Sequence, residues 1–157
     1  MVKLKLKEFK MRSKNLKLIA RTAEDLRVIS AHLQDSIVTT NNIANLKQNK
    51  IFLMQLNRFM WEDVEKGVFR KNKRIRTILK FENVIEVNSK NISQKSKDKF
   101  HDFLAIESFQ LPDNNYELKL IFSGDSVIRV LVEIIEVTLD DQGEPWDTKN
   151  KPKHKVL

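Results

Sequence analysis

Two segments of the chain carry side chains that could do chemistry. The first runs from Lys66 to Lys80, where Lys66, Arg70, Lys71, Lys73, Arg74, Arg76 and Lys80 stand with no acid among them. On an extended strand Arg74, Arg76 and Lys80 project from one face, with about 7 Å between residues two apart. Guanidinium forks so spaced can grip phosphates or carboxylates through paired N–H donors, and Arg58 is a candidate further member of this anion- or partner-binding set. The plain alternative is a solvated sheet face, or pairing with residues 100–148, which hold eleven acids against Lys119 and Arg129. The second segment is Asn57-Arg58-Phe59-Met60-Trp61-Glu62. Continued as a strand, it shows Asn57, Phe59 and Trp61 on one side and Arg58, Met60 and Glu62 on the other. Asn57 and Trp61, with Glu62 close by, suit the wall of a ligand pocket. The plainer reading, and the preferred one, is an aromatic core cluster in which Asn57 bonds backbone at a strand end.

Other chemistries are poorly served. The chain has no Cys, which excludes thiol catalysis, disulfides and Cys-based metal sites. His32, His101 and His154 are widely separated and show no metal-ligand spacing, so no metal and no cofactor is expected. Gly67, Gly124 and Gly143 form no phosphate-binding pattern. His32 reads as a helix-end histidine suited to the dipole.

The elements that position these residues are legible from periodicity. Thr22 is a helix N-cap followed by Glu24 and Asp25, and Leu26, Ile29 and Leu33 recur at helical spacing, which predicts one helix over about 23–34. The rest reads as strands. Short ones are expected at 16–21 and 36–40, with longer ones over 51–61, 74–87, 103–111, 116–122 and 126–139. In the 74–87 run Ile75, Thr77, Leu79 and Phe81 alternate with Arg74, Arg76, Ile78 and Lys80. Ser123-Gly124-Asp125 is a hairpin turn signal. Strands joined by short turns imply antiparallel pairing. The expected fold is α+β, an antiparallel sheet of six or seven strands with room to curl into a half-barrel, packed on the one helix.

At 157 residues the chain has the length of one domain, and its formal charge is +8. That charge is concentrated at the ends: residues 1–17 carry a net +6, residues 149–157 a net +4, and the remainder −2. The expected organisation is a disordered basic extension over 1–15, a single domain over 16–148, and a disordered basic tail over 149–157. The N-terminus shows no apolar signal region and no apolar run is long enough to span a membrane, so a cytoplasmic location without membrane contact is expected.

The blocks LKLIARTAEDLRVISAHLQDSIV, LNRFMWE, RIRTILKFENV and LIFSGDSVIRVLVEIIEVTLDDQGEPW, in that order, resemble an alphaproteobacterial family catalogued as domain of unknown function 2948. The resemblance covers roughly residues 16–154 and implies a small bacterial protein with no assigned activity and no catalytic residues to carry over. Function therefore stays between classes. One is a non-enzymatic binding or adaptor module that uses the basic strand face for a protein, a second copy of itself or a small anion. Another is a small-molecule enzyme with its pocket around Asn57, Arg58, Trp61 and Glu62. The third and weakest is an RNA-associated protein acting through its basic tails, since few aromatics stand beside the cations to stack on bases.

Overall fold

Thr22 sets the first feature of the architecture. Its backbone is extended and its hydroxyl accepts from the Asp25 amide at 3.1 Å, which satisfies one of the free N–H groups of the first turn. The helix that follows, α1 (Ala23–Leu33), buries Leu26, Ile29 and Leu33 as their spacing requires. It ends where Gln34 leaves helical geometry and Asp35 takes a left-handed conformation at φ 64°. The computed structural model describes residues 15–65, 72–93, 95, 96, 98–149 and 152.

The strands are β1 (Lys17–Ala20), β2 (Ile37–Thr39), β3 (Ile43–Leu46), β4 (Ile51–Phe59), β5 (Lys73–Phe81), β6 (Val84–Lys90), β7 (Phe100–Gln110), β8 (Tyr116–Phe122), β9 (Ser126–Val132) and β10 (Val137–Asp147), with a one-turn helix α2 (Trp61–Glu65) after β4. They form one ten-stranded antiparallel sheet ordered β1-β10-β5-β4-β2-β7-β8-β9-β6, with β3 paired to β4. The sheet is not closed.

The expectation of six or seven strands is too low, and the reason is local. The run 74–87 is two strands, parted by a left-handed turn at Asn83 (φ 58°). The run 126–139 likewise divides after Val132, so that its end, Val137–Leu139, opens a separate strand between β1 and β5. That last strand continues past Gly143 (φ 71°) and Pro145 through a register shift between Gln142 and Trp146, residues that read as a strand stop but here form a bulge.

Short β2 joins the two halves of the sheet: Ile37 pairs with Asn57 of β4 on one side and with Asp102 of β7 on the other. The inner faces of both halves and the apolar stripe of α1 share one core, which includes Leu26, Ile29, Met54, Leu79, Phe103, Leu120 and Val130. Along β5 the alternation is as expected, with Ile75, Thr77, Leu79 and Phe81 buried and Arg76 exposed on the reverse. Most of the N- and C-terminal basic residues, together with Lys66, Arg70 and Lys71, lie outside the described residues. No helix among the described residues is long and apolar enough to cross a membrane.

Candidate functional site

β4, α2, β5 and the end of α1 bring Asn57, Arg58, Trp61, Glu62 and Arg74 into one corner, where they do different jobs. Arg58 and Asn57 are neighbours on β4 and so point to opposite sides of the sheet. Arg58 points inward and is fully buried. Its Nε and Nη2 donate to the two carboxylate oxygens of Asp141 on β10 at 2.8 and 2.7 Å, while Nη1 and Nη2 donate to Glu62 on α2 at 3.0 and 2.8 Å. Both forks of the guanidinium are thus occupied by carboxylates. Burial alone would lower the Arg58 pKa, but its bonds to Asp141 and Glu62 outweigh that and raise it above the ordinary arginine value. Asp141 also accepts from the Leu16 amide at 2.8 Å through Oδ2.

Glu62 faces outward from this clasp. His32, near the end of α1, brings Nδ1 to 3.8 Å from Glu62 Oε2. Burial pushes the Glu62 carboxyl up, but contact with His32 and the Arg58 hydrogen bonds prevail and take its pKa down to about 2. A surface cavity of about 330 Å3 opens beside the pair, lined by Arg27, Val28, Ala31, His32, Trp61 and Glu62. The Trp61 indole N–H donates to the Gln34 carbonyl at 2.8 Å and its ring meets Phe59 edge-on at 4.6 Å. Phe59 and Trp61 keep company as strand alternation predicts, although Trp61 already belongs to α2.

Arg74 is half-buried. Its Nη1 donates to the carbonyls of Asp35 and Asn57 at 3.2 and 3.1 Å, and its guanidinium lies 5.8 Å from the centre of the Phe59 ring. Desolvation lowers its pKa, opposed by the charges of Asp35 and Asp102. Arg76 and Lys80 remain on the outer face of the sheet. Arg76 lies opposite Asn57 and Gln142, and Lys80 opposite Leu53 and Thr138, with its ammonium 3.5 Å from Glu82. Asn57 shares that outer side with Arg76.

The residues named from sequence therefore separate into three groups: Arg58 and Glu62 inside a carboxylate clasp, Arg74, Asn57 and Trp61 tying the α1–β2 corner, and Arg76 with Lys80 free of that corner. Sequence reasoning passed over His32 and Asp141 as partners of these residues. Asp141 did leave a signal, because alternation along Val137, Leu139 and Asp141 places a carboxylate on the core side of β10. No group of three metal-binding side chains converges among the described residues. The model of a family described as protein of unknown function (DUF2948) matches residues 16–154. No curated protein and no solved structure matches the chain.

Proposed function

The chain belongs to DUF2948, a family whose description assigns no activity, and we propose from its geometry that it is a non-enzymatic binding module for an acidic protein partner. The docking surface is the outer face of β1, β10, β5 and β4. One observation carries this reading: the face mixes exposed apolar side chains with cations and lies open. Ile19 is 52% exposed, Ile78 and Leu53 are partly buried, and around them stand Lys17, Arg76 and Lys80, with Asp140 opposite Lys17 and Glu82 beside Lys80. An apolar centre with a charged rim is the anatomy of a protein interface, and a positive rim selects acidic partners and speeds encounter. Arg58 supports the face from behind, and Arg74, on the same side of β5 as Arg76, is engaged with the carbonyls of Asp35 and Asn57 at its end.

Affinity capture followed by direct binding of the recovered protein tests this. The wild-type chain is expected to retain an acidic partner that Arg76→Glu with Lys80→Glu loses, at an unchanged melting temperature. A chain with Lys151, Lys153 and Lys155 changed to Gln should keep the partner. Retention by the Arg76/Lys80 variant, or loss in the tail variant alone, would overturn the reading.

A second reading rests on the His32–Glu62 pair beside the 330 Å3 cavity. A carboxylate close to an imidazole at the edge of a cavity is a starting arrangement for general acid–base chemistry, with His32 as the proton carrier and Glu62, its pKa lowered, as the neighbouring anion. Turnover of small ester or phosphate-ester substrates that disappears in His32→Gln, with the fold intact, would favour it. Absence of turnover leaves the binding reading.

A further inference from the structure

A cavity of about 670 Å3 lies away from both surfaces, on the outer face of the β6-β9-β8-β7 half. Its wall has an ordered composition. Lys119 on β8 and Arg129 on β9 are direct cross-strand partners, and Lys90 on β6 sits opposite Val127, two residues before Arg129. Three cations from three adjacent strands thus surround one concavity. Beside them runs an apolar row in which Ile121 and Val127 are also cross-strand partners, with Leu104 of β7, 39% exposed, at its end. Of the two acids in the lining, Glu107 on β7 is the cross-strand partner of Lys119 on the side away from Arg129, and Asp125 stands in the β8–β9 turn.

Like charges placed directly opposite on a sheet repel. Here flanking acids relieve part of the repulsion, and Glu107 faces Lys119 across the β7–β8 pair. Arg129 Nε reaches Glu117 at 3.4 Å, while the Lys119 ammonium lies 5.3 Å from the centre of the Phe109 ring. An anion lodged between Lys119 and Arg129 would remove the repulsion and gain charge-assisted hydrogen bonds, and an apolar body attached to it would cover Leu104, Ile121 and Val127. A volume of this size matches that of a small-molecule site.

We infer that this cradle binds an organic anion, a flat apolar body ending in a phosphate or carboxylate, with Lys119, Arg129 and Lys90 on the head group and Leu104, Ile121 and Val127 beneath the body. The site is independent of the proposed protein-docking face, from which it is separated by β2 in the sheet order.

Titration of the full 15N-labelled chain with 1-naphthyl phosphate, followed by NMR, tests the inference. The expected result is chemical-shift change confined to amides around Leu104, Lys119–Ile121 and Val127–Arg129. Lys119→Gln with Arg129→Gln should weaken binding about tenfold or more, as loss of charge-assisted bonds requires. Ile121→Asn, which keeps the cations, should weaken naphthyl phosphate while leaving inorganic phosphate unchanged. Naphthoate distinguishes the head groups, and tighter binding of either anion than of neutral 1-naphthol supports the site. Shifts elsewhere, equal binding of 1-naphthol, or affinity unaltered in both variants would overturn the inference.

Discussion

Arg58 and Asp141, 83 residues apart in sequence, meet through two parallel hydrogen bonds in a position closed to solvent. A buried ion pair adds little net stability over an apolar pair of the same shape, but removing one member leaves an uncompensated charge. Arg58→Ala should therefore lower unfolding free energy by about 3–5 kcal/mol, and Asp141→Ala by a similar amount. The double variant Arg58→Met with Asp141→Leu should recover a substantial part of the loss. Urea denaturation of the three variants checks this, and additive losses in the double variant would contradict it.

The Glu62 carboxyl gives the acid limb of stability a definite place. Its pKa falls from an ordinary 4.5 to about 2 in the folded chain. The folded state thus binds fewer protons than the unfolded state between those values, so stability is fully present above about 4.5 and declines as pH falls toward 2. Glu62→Gln should flatten the decline over that window. A melting temperature whose pH profile is unchanged by the substitution would show that Glu62 makes no such contribution.

The two arginines on the same face of β5 should behave differently. Arg74 bonds two carbonyls and covers the Phe59 ring, so Arg74→Ala is expected to cost about 1–3 kcal/mol. Arg76 is exposed, and Arg76→Ala should stay within about 0.5 kcal/mol of wild type. Equilibrium denaturation measures both, and equal effects would dissolve the distinction.

At Gly143 an added Cβ would meet nothing within 4 Å, yet φ is +71°. Gly143→Ala should therefore cost about 1 kcal/mol from backbone strain alone, and Gly143→Asn less, because Asn tolerates the left-handed region. Thermal unfolding of the pair ranks them. A cost for Asn as large as for Ala would point away from φ as the cause.

Much of the scaffold was legible because it obeys simple periods. Thr22, Leu26, Ile29 and Leu33 marked α1, and the alternation along β5 put Thr77 and Leu79 inside and Arg76 outside. Strand ends were harder to see. Asn83 divides the 74–87 run by its left-handed backbone angle, which the alternation of the run does not announce, and Pro145 sits inside β10 because a bulge admits it. The site was half legible. Arg58 looked like part of an anion-binding set by composition, whereas its parity on β4 sends it inward toward a carboxylate supplied by β10, a pairing that only topology creates. His32 and Glu62 likewise meet because α2 turns back onto α1, which local pattern does not reveal.

The place of β10 between β1 and β5 has a consequence for how the chain is made. Of the described strands, β10 is the last to emerge from the ribosome, and it is the one that covers the edge of β5 and receives β1. Until Asp141 arrives, Arg58 lacks its inward carboxylate and β5 shows an unpaired backbone edge, the kind of surface that recruits other chains. A nascent chain stalled before residue 137 should accordingly depend on chaperones and aggregate when released, while release after residue 148 yields a chain able to close its own sheet.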